Sequence, residues 1–187
     1  MTIDRTAADV LLSDGSLAVV RSLTPEGTDA LHDLHDRVSD GSAQLRFFTL
    51  ARAAAHKYVD HVLEEPYQLA LVAEVDGRLA GFATAEPLPP HLPHVAEVAF
   101  LAADDFQGHG LGTLLLEHLA ALARDRGIRE FEANVLPSNQ GMLRVLDDAG
   151  FRLNRCIEEG VEIYRFDTAV TAEAQAAEAE REARLLR

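Results

Sequence analysis

Three glycines at alternate positions, Gly108, Gly110 and Gly112, lie between an apolar run and a long helical pattern. Before them, Val95–Ala102 (VAEVAFLA) reads as a strand. After them, Leu111–Arg126 has helical periodicity and stops at Gly127, as a C-cap would stop it. A strand, a glycine-rich turn and a helix in that order restrict the local fold sharply. Glycine lacks Cβ, so a ligand can approach the backbone N–H groups. The helix start adds unpaired N–H groups and a partial positive charge. Together they make a pyrophosphate cradle that needs no lysine. Three glycines also suit a plain tight turn, but their placement from strand to helix favours the cradle. Two common nucleotide signatures are excluded by direct reading. The dinucleotide fingerprint requires glycine where Thr113 stands, and a P-loop requires a lysine, whereas Lys57 is the only one in the chain.

Other segments have equally local signals. Asp76-Gly77 between Gln68–Val75 and Arg78–Ala85 predicts a β-hairpin. Ser16–Leu23 reads as a strand after the turn Asp14-Gly15. Thr24-Pro25-Glu26 opens a helix with Thr24 as cap, and Leu31, Leu34, His35 and Val38 form its apolar stripe. Ser39–Phe48 is a short helical link. Ala51–Leu63 is a second helix, stopped by Glu64-Glu65-Pro66. Pro87–Pro93 is a proline-rich loop, Glu130–Leu136 a strand, Asn139–Ala149 a helix and Val161–Phe166 a last strand. Residues 1–168 are expected to form a single domain. Residues 169–187, almost all Ala, Glu, Gln, Arg and Leu, read as a solvated helix or a linker.

Composition narrows the function. The 187 residues carry 31 acidic and 17 basic side chains, a formal charge of −14, which argues against nucleic acid and anionic lipid as partners. No run is long enough to span a membrane, and the first residues lack a signal-peptide pattern. A lone Cys156, expected to pack as a small apolar group, fits a reducing cytoplasm. The acidity is uneven. Residues 1–106 hold 17 acidic against 7 basic side chains, whereas residues 107–166 hold 9 against 7. The first part suits a cationic acceptor and the second a polyanion.

Gln107, Gly110 and Gly112 match a Gln/Arg-x-x-Gly-x-Gly/Ala signature, and in this the chain resembles the GNAT acyltransferase superfamily. The resemblance covers about residues 16–166. The element order β-α-α-β-β-β-α-β-α-β is that of the family. Leu111–Gly127 is similar to its signature helix, and Asn139-x-x-Met142-x-x-x-Leu146-x-x-x-Gly150-Phe151 to its late Asn…Gly-Phe segment. The implied fold class is α/β (α+β), with a mixed, mostly antiparallel sheet of six to seven strands flanked by about four helices. The implied activity is acetyl-CoA-dependent N-acetyl transfer without a metal. Asp14-Gly15, Ser42-x-x-x-Arg46-Phe47-Phe48, Ala96-Glu97-Val98-Ala99-Phe100 and Asp105-Phe106-Gln107-Gly108-x-Gly110 are similar to bacterial protein lysine acetyltransferases acting on acyl-CoA synthetases. That narrower resemblance implies a protein lysine as acceptor. The alternatives are a small-molecule amine N-acetyltransferase and a non-catalytic acyl-CoA-sensing module of a larger fused protein.

The resemblance also assigns roles. A Glu on the strand before the cradle is the family's general base, and Glu97 is the matching position; the alternative is a solubility charge on an edge strand. Two strands splay in the family, and pantetheine pairs with backbone groups that correspond to Phe100, Leu101 and Ala102. Gln107, Gly108, His109, Gly110, Leu111, Gly112 and Thr113 correspond to the pyrophosphate loop, although His109 alternatively faces solvent. Asn139 corresponds to a cofactor contact, and equally suits an ordinary N-cap. Leu146 stands where many members place a general-acid Tyr, so the CoA thiolate is expected to be protonated by water or to leave unassisted. The pairs His32/His35, His56/His61 and His91/His94 complete no metal-ligand set.

Overall fold

A computed structural model of the chain describes residues 7–48, 52–64, 68–89, 92, 94–172, 175–176, 179–180 and 183. Its strands are β1 (Ala8–Leu11), β2 (Leu17–Ser22), β3 (Leu69–Val75), β4 (Arg78–Pro87), β5 (Val95–Ala102), β6 (Glu130–Val135), β7 (Asn154–Glu158) and β8 (Val161–Asp167). They form one sheet in the order β1-β2-β3-β4-β5-β6-β8-β7. Every pairing is antiparallel except β5 with β6. The helices are α1 (Thr28–Arg37), α2 (Asp40–Phe47), α3 (Arg52–His61), α4 (Leu111–Asp125) and α5 (Gln140–Asp148).

Among the described residues, the eight strands and five named helices exceed the six to seven and about four expected. β1 is only four residues long and half exposed, and β7 is exposed throughout, so neither has an apolar run to mark it. Cys156 lies on β7 and is exposed, because no partner layer covers that edge strand. The segment read as a link is the two-turn helix α2. Thr24 makes no side-chain cap bond. It precedes a 3-10 turn at Pro25–Gly27, and α1 starts only at Thr28. Pro87, assigned to the loop, closes β4 instead; the arrest of Ala51–Leu63 by Glu65 and Pro66 lies outside the described residues.

The hairpin is as expected. Asp76 and Gly77 have φ of 49° and 76°, the two positive values of a type I′ turn. Two apolar layers flank the sheet. On one face Leu111, Leu115, Leu116 and Leu119 of α4, all at most 1% exposed, pack with Leu146 of α5 and with Ala96, Val98, Phe131 and Phe166. Gly81 permits that contact, since a Cβ there would meet Leu115 at 2.9 Å and Leu111 at 3.0 Å. On the other face Leu31 and Leu34 of α1, Ala43 of α2 and Val59 of α3 cover Val72, Phe82 and Leu101. In the tail Ala172, Gln175, Ala176, Ala179, Glu180 and Ala183 are helical and exposed. Among the described residues no helix is long and apolar enough to cross a membrane.

Candidate active site

The sheet opens at Glu97. Val95, Ala96 and Glu97 pair with Glu130, Phe131 and Glu132, and there the ladder between β5 and β6 ends. β5 runs on to Ala102 and β6 to Val135 without pairing with each other, so each has a backbone edge facing the gap. Val95 O accepts Leu88 N–H, and Ala103 N–H donates to Ala80 O, so odd-numbered residues of β5 turn their backbone groups to β4. Strand alternation then turns those of Val98, Phe100 and Ala102 towards the gap. Leu101 turns to β4 and its side chain is buried in the α1–α3 layer. The gap widens into a cavity lined by Glu97, Val98, Ala99 and Phe100 of β5, Asn134 of β6, and Arg46 and Phe48 beside α2. Asn139 and Met142 close it from the α5 side.

The charge arrangement at the opening is specific. Glu97 stands in register with Glu86 on β4 and Glu132 on β6, three carboxylates side by side. Both neighbours have partners. Glu132 takes two bonds from Arg165, from Nε at 2.8 Å and Nη2 at 2.7 Å. Glu86 accepts from the Tyr58 hydroxyl and, at 2.9 Å, from Gln68 Nε2. Among the described residues Glu97 has no hydrogen-bond or ion-pair partner, although it faces the cavity. Thr84, 1% exposed, links the neighbouring groups: Arg46 Nη2 donates to its Oγ1 at 3.2 Å, and Tyr58 Oη lies 3.1 Å away. The Arg46 guanidinium sits 4.8 Å from the Phe47 ring centre and 4.9 Å from that of Tyr58. Burial pushes the Tyr58 phenol up to about 12, so it stays protonated near neutrality.

At the other end of β5 lies the glycine turn. Gly108 and Gly110 have φ of 78° and 85°, and nothing lies within 4 Å of where a Cβ would stand. Gly110 caps α4, and among the described residues no side chain bonds to the N–H groups of the first turn. The N–H groups at Leu111, Gly112 and Thr113 therefore point out of the helix start, while the Leu111 and Thr113 side chains are buried. Gly112 has a different reason to lack a side chain: a Cβ there would meet Val145 at 2.7 Å, so it lets α5 approach α4. The His109 carbonyl accepts Ser13 N–H at 3.1 Å. Its Nδ1 lies 3.2 Å from Asp14 Oδ2, a close charge contact without aligned hydrogen-bond geometry. Gln107 points back along the chain: its Nε2 donates to Ser42 Oγ at 2.9 Å and to Ala102 O at 3.2 Å.

Two residues singled out in the sequence have structural duties. Asn139 caps α5, its Oδ1 accepting Met142 N–H at 3.0 Å, and also lines the cavity. Leu146 is 1% exposed in the core, one turn beyond the cavity-lining Met142. Nothing in the sequence marks Tyr58, Thr84 and Glu86 as a group with Arg46; only a threonine and a glutamate inside an otherwise apolar strand hint at it.

The site suits a long ligand with a polyanionic end. An open pair of strand edges can accept amide groups as an added strand would. The cradle at one end offers outward N–H groups to a pyrophosphate, and the free carboxylate at the other can take a proton.

A family model for the acetyltransferase (GNAT) family matches residues 30–151. The crystal structure of the GNAT domain of S. lividans PAT superposes with a TM-score of 0.81 at 35% identity, covering 89% of this chain and 99% of that one. An acetyltransferase of Pseudomonas aeruginosa is 28% identical over 144 residues, 75% of this chain and 77% of the relative. A Salmonella typhimurium protein solved with acetyl-CoA as its cofactor shares the fold, with a TM-score of 0.64 at 18% identity over 83% of this chain and 96% of that one.

Proposed function

The chain belongs to the GNAT acetyltransferase family and is an acetyl-CoA-dependent acetyltransferase; from that premise we propose that it transfers acetyl to the side-chain amine of a protein lysine, with Glu97 as general base. The observation that carries the base assignment is the unpartnered Glu97 carboxylate at the opening of the β5–β6 gap, between two carboxylates that are already engaged.

The chemistry sets the demand. A free lysine has a pKa near 10.4, so freeing its amine at pH 7 costs roughly 4.6 kcal/mol. Glu97 takes that proton, directly or through one water, as the amine nitrogen approaches. Bound acetyl-CoA supplies an activated thioester carbonyl. The backbone edges of Val98, Phe100 and Ala102 align the pantetheine arm, and an N–H on that edge polarises the carbonyl oxygen. Gln107, Gly108, His109, Gly110, Leu111, Gly112 and Thr113 form the pyrophosphate end, by backbone at Leu111 and Thr113. Asn139 borders the arm. No tyrosine lines the cavity among the described residues, and Leu146 is buried, so the departing thiolate is protonated by water or leaves unassisted.

The acceptor side favours a lysine. Next to the gap a cleft of about 330 Å³ is lined by Phe48, Asn134, Glu158, Glu159, Val161 and Ile163. Apolar and acidic side chains in one cleft fit the aliphatic stem and ammonium head of lysine. The similarity to the GNAT domain of S. lividans PAT is in keeping with this reading. Incubating the protein with acetyl-CoA and a cell extract, then mapping new acetyl groups by mass spectrometry, tests it. Acetylated protein lysines are expected; acetylation of small amines alone overturns the lysine acceptor.

A further inference from the structure

Asp104 lies between β5 and the glycine turn, where a carboxylate works against a polyanionic ligand. Its bonds point elsewhere. Asp104 Oδ2 accepts the N–H of Ser39 at 2.7 Å, and Oδ1 accepts the hydroxyls of Ser42 at 2.6 Å and Ser39 at 3.0 Å. Gln107 Nε2 joins the cluster, 2.9 Å from Ser42 Oγ and 3.3 Å from Asp104 Oδ1. Burial works to raise the Asp104 carboxyl, yet the bonds from Ser42 and Ser39 hold it below the ordinary value. The anion thus sits at the start of α2, where the helix dipole favours it.

The other end of α2 reaches the reaction cavity. Arg46, in its last turn, and Phe48, its C-cap with φ of 54°, both line the space that Glu97 faces. Asp104, Ser39, Ser42 and Gln107 bond the turn to the start of α2.

We propose that Asp104 and Ser42 are positioning residues that lock α2 to the glycine turn, so that filling the turn orders the acceptor wall at Arg46 and Phe48. The inference rests on acetyl-CoA occupying that turn.

Hydrogen exchange on the full chain, with and without CoA, tests this without needing an acceptor. In the wild type CoA is expected to slow exchange at residues 107–114, and also at residues 43–48 by threefold or more. In Asp104→Asn the protection at 107–114 is retained, CoA affinity by calorimetry is unchanged or tighter, and the protection at 43–48 is lost. Ser42→Ala, which removes one hydroxyl, is expected to halve that protection and guards against a folding defect in the first variant. Equal protection of 43–48 in wild type and both variants overturns the lock. So does the absence of protection there in the wild type when 107–114 is protected. No protection at either segment overturns the nucleotide assignment of the turn itself, and the lock with it.

Discussion

The two walls of the cavity are built from different materials. On the proposed nucleotide side a ligand would meet backbone: the free edges of β5 and β6, two glycines with positive φ, and the start of α4 behind its Gly110 cap. On the proposed acceptor side it would meet side chains gathered from α2, β5 and β6, with Arg46, Glu97 and Asn134 each supplying a polar group and Thr84 bonded to Arg46 and Tyr58 behind them. A backbone wall holds any ligand with the right repeat of amides and phosphates and has few side chains to vary. A side-chain wall is tunable one residue at a time. In the proposed reading the donor site is therefore rigid in identity, and the acceptor site is where specificity would be set.

That difference predicts separable failures. The largest lies beneath the acceptor wall. His35, 3% exposed, packs at 5.6 Å from Phe47 and 5.9 Å from Phe82, and burial lowers its pKa from 6.5 to about 4. The folded state then binds fewer protons than the unfolded state between those values. The contribution is present above pH 6.5 and is lost as pH falls towards 4, about 2.5 kcal/mol at pH 4.5. Urea unfolding at pH 7 and 4.5 should show that extra loss in the wild type and not in His35→Leu; equal slopes would refute it.

Gly110→Val should damage the other wall alone. A β-branched residue at φ of 85° is strained by at least about 1–2 kcal/mol. Acetyl-CoA affinity should fall tenfold or more by calorimetry, with kcat at saturating acetyl-CoA within threefold. Tyr58→Phe should do the reverse. Losing the hydroxyl that serves Glu86 and Gln68 removes about 1 kcal/mol of bonding. The acceptor KM should rise three- to fivefold while acetyl-CoA affinity stays constant. The smallest effect is electrostatic. With the acidic excess in residues 1–106, raising salt from 50 to 300 mM should lower kcat/KM for a cationic acceptor two- to threefold. A rise would place the cationic partner elsewhere.

The same contrast explains what could be read before the fold was known. Gly108 and Gly110 are local statements about φ, and the Asp76-Gly77 hairpin and the apolar β5 run are local as well. Glu97 was visible because a lone carboxylate in an apolar strand is conspicuous. The Tyr58–Thr84–Glu86–Arg46 cluster was not, because it forms only when α2 and α3 lie across β4. Gly112 illustrates a mixed case. It belongs to the phosphate signature, yet its lack of a Cβ is required by Val145 of a helix some thirty residues away. β1 and β7 escaped notice because short, exposed edge strands bury nothing that would shape their sequence.

In the proposed reaction the free carboxylate of Glu97, at the opening of β5 and β6, removes the proton from the acceptor amine. Glu97→Gln keeps the shape and removes the base. Acetyl-CoA affinity by calorimetry and the single-turnover rate of transfer to the acceptor lysine mapped in extract should be measured across pH. The account predicts affinity within twofold of wild type and a rate lower by about a hundredfold or more, recovering as pH rises and more amine is neutral. An unchanged rate with intact binding would contradict it.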